Sequence, residues 1–162
     1  MSVADPEQTE PLGELKLHRI LVAVDGSGHA DLALSAAITA AHRDNATITL
    51  ITVGPDIAAG PAAWSLPLAG ALDQEAVDKD AEQRLKATLK RMPEDIPVHT
   101  IYRRGKPGCE IVKAATEGDF DAIILGARGV GRVGSMMGSV SSYVMHHAKT
   151  AVFVAHGQRH VE

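Results

Sequence analysis

The feature that most constrains the fold of this chain is an alternation of five short apolar segments with longer segments of helical periodicity. The apolar segments are residues 19–24 (RILVAV), 47–53 (TITLITV), 97–102 (PVHTIY), 121–127 (DAIILGA) and 150–156 (TAVFVAH). Short apolar runs of this kind predict buried strands. Because neighbouring parallel strands are joined by right-handed crossovers, the alternation predicts an α/β protein with a mainly parallel sheet and helices on both faces.

Helical spacing of apolar residues predicts the connections. Residues 30–43 carry small residues that would let a helix lie close to a sheet, namely Ala33, Ala36, Ala37, Ala40 and Ala41. Residues 73–91 repeat an apolar residue every fourth position, at Val77, Ala81, Leu85 and Leu89, and their charges predict a solvated face. Pro107 suits the first turn of a third helix that ends at Gly118, and residues 139–147 predict a fourth. The prolines and glycines of residues 54–72 predict a long loop or lid.

Length and composition limit the class of protein. The chain of 162 residues is long enough for one domain, and because only 3% of it is aromatic, Ala, Val, Ile and Leu must build the core. A net charge of −4 disfavours nucleic-acid binding, which requires a basic surface. The single cysteine, Cys109, excludes an intramolecular disulfide and suits a reducing compartment such as the cytoplasm. We interpret it as an unreactive thiol.

The two ends of the chain are interpreted as tails around one domain at residues 17–157. Residues 1–16 (MSVADPEQTEPLGELK) are acidic and contain no apolar run. They predict a flexible tail rather than a signal peptide or a membrane span. Residues 158–162 predict a short C-terminal tail.

A glycine-rich segment, GARGVGRVGSMMGSVSS at residues 126–142, follows the fourth predicted strand. Ligands of open parallel sheets bind beyond the carboxyl ends of the strands, and glycines there allow the backbone to turn and to approach a ligand. The free N–H groups of the helix that follows would attract an anion, so the segment predicts phosphate binding. The alternative is a connecting loop in which Ser139 only caps the helix. The segment is neither a Walker P-loop nor a G-x-G-x-x-G fingerprint.

Candidate catalytic and metal-binding groups are weak. Ser27, His29 and Asp31 are near neighbours on one turn and cannot form a catalytic triad through sequence proximity. His146 and His147 are adjacent on a helix and point about 100° apart, so they are poorly placed to share a metal. We therefore predict no catalytic residue and no metal site.

Five segments, in order, make the chain similar to the universal stress proteins, specifically to the branch that binds ATP. The segments are ILVAVDGS (20–27), ITLITV (48–53), the pair Gly105 and Pro107, DAIILGARG (121–129) and GSVSSYVMHHAKTAVFVAH (138–156). The resemblance implies a doubly wound, Rossmann-like sheet of five parallel strands in the order 3-2-1-4-5. In that order Asp25 and Gly126 would face one crevice.

The resemblance also implies a binding site for an adenine nucleotide. It assigns Asp25 and Gly126 to the ribose hydroxyls and the Val53 backbone to the adenine. Ala23 and Leu125 would line the site, and the phosphates would contact Gly129, Gly138, Ser139 and Val140. The family motif usually has nine residues between its last two glycines, whereas this chain has the eight residues VGRVGSMM. The implied ligand is ATP, with Mg or Mn, and AMP or cyclic AMP is the alternative.

The resemblance implies a regulatory role in a stress response and a homodimer. Its interface would be the fifth strand, formed by Ala151, Val152, Phe153, Val154 and Ala155, because an edge strand exposes unpaired backbone groups. A stress protein that dimerises without nucleotide stays an alternative. The segment VDGSGHAD lacks the phosphate signature of related nucleotide-using enzymes, so we expect a non-enzyme with at most slow ATP hydrolysis. Trp64, in the predicted lid, is expected to report nucleotide binding by fluorescence.

Overall fold

A computed structural model describes residues 13–59, 73–128 and 137–157 of the chain. The strands are β1 (Arg19–Ala23), β2 (Thr47–Gly54), β3 (Val98–Arg104), β4 (Ala122–Gly126) and β5 (Ala151–Ala155). The helices are α1 (Gly28–Asp44), α2 (Gln74–Leu89), α3 (Pro107–Glu117) and α4 (Ser139–His147), and a short 3-10 turn spans Ile57–Ala59. All described strand pairs are parallel and the order is β3-β2-β1-β4-β5, which confirms the predicted doubly wound sheet.

Two apolar layers hold the helices against the sheet. On one face, α1 and α2 pack on side chains such as Ile20, Val22 and Leu50. On the other face, α3 and α4 pack on Leu21 and Ile123, among others. Alternate residues of each strand therefore point to opposite layers, which is why a doubly covered strand reads as a continuous apolar run.

The helix α1 lies close to the sheet through small residues, but not through every alanine predicted. Its buried residues are Ala30, Ala33, Leu34, Ala37 and Ala41. Ala36 is exposed, because the buried stripe follows positions three or four apart and Ala36 falls beside it. Leu89, in the predicted apolar stripe of α2, is 40% exposed and is the last residue of that helix.

The ends of α3 and α4 confirm one detail of the sequence prediction and correct another. Helix α3 begins at Pro107 and has Gly118 as its C-terminal cap, as expected, but Gly118 has φ −96°. The left-handed conformation belongs to the next residue, Asp119, at φ 48°. Helix α4 is capped by Gly138, and Ser139 is its first residue. Ser139 is therefore not the N-cap, because the backbone turns into the helix one residue earlier.

Candidate functional site

A cavity of about 320 Å³ lies at the carboxyl ends of β1, β2 and β4. Its floor is formed by strand residues such as Ala23, Ile51 and Leu125, and its walls come from all four helices. The winding of the chain reverses between β1 and β4, so helices from both faces of the sheet border the same opening. Its volume falls at the lower end of the range found for small-molecule sites.

The structure brings together all of the predicted site residues that it describes. Those that line the cavity are Ala23, Asp25, Val53, Leu125, Gly126, Gly138, Ser139 and Val140. Gly129 lies outside the described residues, and so does Trp64, on which the predicted fluorescence change depends. The described residues therefore form one continuous lining from the first, second and fourth strands and the start of α4.

The turn after β1 holds Asp25 at the cavity wall. One carboxylate oxygen of Asp25 accepts a hydrogen bond of 2.9 Å from the Ser27 N–H. Ser27 in turn caps α1, because its hydroxyl oxygen accepts from the N–H of Ala30 at 3.1 Å. Gly26 between them has φ +80°, a conformation that favours glycine. The sequence Asp-Gly-Ser thus fixes both a carboxylate and a helix N-terminus at this wall.

The glycines of the cavity have a packing role that the sequence prediction did not foresee. A Cβ built on Gly126 would lie 2.6 Å from the carbonyl carbon of His29 in α1. A Cβ on Gly138 would lie 3.2 Å from the carbonyl oxygen of Ala127 and 3.4 Å from the Cα of Arg128. These glycines therefore allow close contact within the protein. The expectation that the backbone at this end of the sheet approaches a ligand stays a prediction.

The start of α4 is fastened to the end of β4. The Gly138 N–H donates to the Ala127 carbonyl at 2.7 Å. The buried hydroxyl of Ser141 is 2.9 Å from that carbonyl and 3.0 Å from the carbonyl of Gly138. These bonds hold the first turn of α4 at the cavity, where the positive end of the helix dipole favours negatively charged groups.

A face of α2 also lines the cavity, and sequence reasoning missed it. Val77, Asp80, Ala81 and Arg84 occupy positions i, i+3, i+4 and i+7 of this helix, and all four border the opening. Asp80 and Arg84, which form an ion pair, belong to the charges from which the sequence predicts a solvated face. The only available signal was the spacing of this pair relative to Val77 and Ala81, which places the pair beside the apolar stripe.

A polar network fixes α2 next to the end of β2. The Gln74 amide donates to the Pro55 carbonyl at 2.9 Å and accepts from the Ile57 N–H at 2.8 Å. Asp78 accepts hydrogen bonds from Gln74, Tyr102 and Arg104. Burial alone would raise the pKa of the Asp78 carboxyl, but these donors together lower it.

The same network acts on Tyr102. Burial of its phenol, together with the hydrogen bond to Asp78, raises the pKa of Tyr102 to about 12. The Tyr102 side chain also explains why residue 54 is glycine, because a Cβ there would collide with the phenol oxygen of Tyr102. The strand end that carries Val53 and Gly54 is thereby held against α2.

The universal stress protein family model matches residues 16–156 of this sequence. The chain belongs to the universal stress protein family. Members of this family are generally stress proteins rather than enzymes. Within residues 13–59, 73–128 and 137–157, no three His, Cys, Asp or Glu side chains cluster as a metal site would require. Among the helices in these described residues, none is both long enough and apolar enough to span a membrane.

Several named relatives support the family assignment. The universal stress protein Rv2005c of Mycobacterium tuberculosis is 30% identical over 141 residues, which cover 84% of this chain and 44% of the relative. The chain thus spans about half the length of the first curated relatives that it matches. The universal stress protein YxiE of Bacillus subtilis is 28% identical over 85% of this chain and 97% of its own.

Solved structures share the fold. The universal stress protein UspA from Lactobacillus plantarum has a TM-score of 0.74 and 28% identity, and covers 88% of this chain and 100% of its own. A universal stress protein in complex with cAMP has a TM-score of 0.55 and 22% identity, and covers 88% of this chain and 98% of its own. The universal stress protein from Archaeoglobus fulgidus in complex with dAMP has a TM-score of 0.62 and 22% identity. It covers 88% of this chain and 100% of its own. At that identity the likeness of these two complexes concerns the fold alone.

Proposed function

We propose that this protein is a regulatory member of its family that binds an adenine nucleotide, with ATP as the first candidate, and is not an enzyme. The observation that carries the proposal is the cavity at the ends of β1, β2 and β4, which combines a carboxylate, an apolar floor and a helix N-terminus. Each part suits a different part of a nucleotide. We place this activity in the cytoplasm, where the thiol of Cys109 would stay reduced.

The adenosine end of the ligand suits the β1 and β2 side of the cavity. Asp25 is half-buried there, and a carboxylate accepts hydrogen bonds from ribose hydroxyls. Val53, Ala23 and Leu125 line this side of the cavity, where the Val53 backbone and the apolar side chains of the other two would contact the base.

The phosphate end suits the first turn of α4. The backbone N–H groups of Ser139, Val140 and Ser141 begin a helix of nine residues, and its dipole favours negative charge at this end. Arg128 also lines the cavity and supplies a cation beside this turn. A divalent cation such as Mg or Mn would then bind with the phosphates rather than in a preformed protein cage.

AMP and cyclic AMP are the alternative ligands. The segment between Gly129 and Gly138 is one residue shorter than is usual in the family, and AMP and cyclic AMP require fewer phosphate contacts than ATP does. The same fold is seen in complexes with cAMP and dAMP. These complexes support adenine nucleotides as the class of ligand to test first.

Calorimetric titration with ATP, AMP, cyclic AMP and GTP tests the proposal. We expect an adenine nucleotide to bind and GTP to bind more weakly. Asp25→Asn keeps an oxygen for the Ser27 N–H and removes the charge. It should therefore weaken the binding of adenine nucleotides by about 1 kcal/mol, or about fivefold, with little effect on folding. Failure of every adenine nucleotide to bind wild type, or unchanged binding by Asp25→Asn, would contradict this assignment.

We also propose that the protein acts as a homodimer through β5. Among the described strands, β5 pairs with β4 alone and leaves its other edge open. Phe153 on this strand is 41% exposed. An open edge with an exposed aromatic side chain favours pairing with a second chain.

Sedimentation velocity of two matched variants tests the dimer. Phe153→Lys should convert a micromolar dimer to a monomer, because a charge would be buried in the interface. Leu89→Lys is the control, since Leu89 is 40% exposed and lies at the end of α2. A monomeric wild type, or a Phe153→Lys variant that sediments as wild type does, would count against the interface.

A further inference from the structure

We propose that Arg84 is a specificity-determining phosphate contact and that Asp80 holds its guanidinium until the ligand's phosphate replaces the Asp80 carboxylate. The inference rests on the proposed function, because it assigns to a face of α2 the recognition of the ligand's phosphates. It adds a side-chain cation from the helix layer opposite to α4.

The position of Arg84 supports the assignment. Arg84 borders the cavity together with Ser27, the N-cap of α1, and with Ser139 at the start of α4. A Cβ built on Gly26 would lie 3.7 Å from the Cδ of Arg84, so the arginine stem passes over the turn at which α1 begins. Two helix N-termini and a guanidinium therefore border one cavity.

The ion pair with Asp80 is suited to exchange. The side chains of Arg84 and Asp80 are 53% and 57% exposed, and they are four residues apart on one helix. Exposed pairs of this kind contribute little to stability because water and ions screen them. A phosphate carries more charge and matches the planar guanidinium with two oxygens, so it is the stronger partner.

The other described arginines that form ion pairs lie elsewhere. Arg43, Arg91, Arg103 and Arg104 pair with carboxylates, and none of the four lines the cavity. Arg84 is thus distinguished from them by having a pair that borders the cavity. The remaining cation of the described lining, Arg128, lies on the α4 side.

The charge of Asp80 has a consequence of its own. In the ligand-free protein it orders Arg84, but in the complex it would repel the phosphates. Neutralising Asp80 should therefore strengthen binding of phosphorylated ligands, whereas neutralising Arg84 should weaken it. A purely structural ion pair would give losses of the same sign for both variants.

Calorimetry of wild type, Arg84→Gln, Asp80→Asn and the control Lys79→Gln separates these cases. Lys79 is an exposed residue of α2 that does not border the cavity. The ligands are adenosine, AMP, ATP and inorganic tripolyphosphate. Arg84→Gln should weaken the binding of ATP and of tripolyphosphate about tenfold, which is the contribution of one charge-assisted hydrogen bond. It should leave the affinity for adenosine within twofold of wild type and reduce the salt dependence of ATP binding. Asp80→Asn should strengthen ATP binding, and Lys79→Gln should match wild type.

Several results would overturn the inference. Equal losses for adenosine and ATP in Arg84→Gln would assign the effect to folding or to the adenosine end, and circular dichroism with thermal unfolding identifies a misfolded variant. Weakened ATP binding in Asp80→Asn would contradict the exchange. Unchanged ATP and tripolyphosphate binding in Arg84→Gln would contradict the contact. If wild type binds tripolyphosphate in an Arg84-dependent way but no adenine nucleotide, the phosphate contact is supported and the adenine assignment fails.

Discussion

A methyl group added at Gly126 should destabilise the whole fold, even though this residue borders the cavity. In Gly126→Ala the new Cβ would lie 2.6 Å from the carbonyl carbon of His29, and 2.7 Å from both its Cβ and its carbonyl oxygen. Because two of these three atoms belong to the backbone of α1, no side-chain rotation relieves the contact. The strand end or the helix must shift.

The expected cost is that of an overpacked core, about 1–3 kcal/mol of the free energy of unfolding. For a chain of this size each kcal/mol lowers the melting temperature by about 2–4 °C, so Gly126→Ala should melt about 2–12 °C below wild type. Urea unfolding monitored by circular dichroism measures the free energy directly. The affinity for the proposed nucleotide should fall as well, because the N-terminal turn of α1 at the cavity would be displaced.

Gly28→Ala is the matched control. Gly28 is the first residue of α1, and a Cβ there would have no neighbour within 4 Å. Replacing it should leave stability unchanged or raise it by up to about 1 kcal/mol, because alanine is the better helix former. A Gly126→Ala variant as stable as wild type would refute the packing explanation, and so would an equal loss in Gly28→Ala.

Two further predictions concern titration. Tyr102 should ionise with a pKa of about 12, above its ordinary value of about 10. The stability that this shift contributes is therefore present below pH 10 and is lost as the pH rises through about 12. Ultraviolet titration of wild type and Tyr102→Phe measures it, and ionisation near pH 10 would contradict it. The N–H groups of Arg19 and His18 donate to Asp121 and lower its carboxyl pKa, so this stabilisation is present at neutral pH and is lost as the pH falls through the lowered value. Acid unfolding of Asp121→Asn should therefore depend less on pH than that of wild type, and identical curves would contradict the role of Asp121.

Most of the fold could be predicted because the central strands β1, β2 and β4 are largely buried on both faces. Such strands are continuous apolar runs, and their spacing requires parallel crossovers. The prediction ended β3 at residue 102, whereas the strand continues to Arg104. Pairing of Arg103 and Arg104 with Val53 and Gly54 extends it. Two arginines in succession carry no strand signal, because that pairing depends on the length of the neighbouring strand.

The site could be predicted only in part, for a different reason. Asp25 and the glycines near α4 have a local signal, since both follow a strand whose carboxyl end must face the ligand side. Asp80 and Arg84 have none, because a charged pair four residues apart is common on any solvated helix. The packing of Gly126 against His29 is likewise invisible in the sequence, since it depends on the distance between a strand and a helix that are remote along the chain.

The pairing of β1 with β4 determines when the cavity forms during folding. Ile20 pairs with Ala122, and the hydrogen bond from the His18 N–H to Asp121 spans 103 positions. Strands β1, β2 and β3 are consecutive neighbours and can associate first, whereas β4 must close a far longer loop. A chain emerging from the ribosome therefore has no cavity until β4 and α4 have been synthesised. A ligand whose contacts form only in the finished cavity is expected to slow unfolding more than it changes the folding rate.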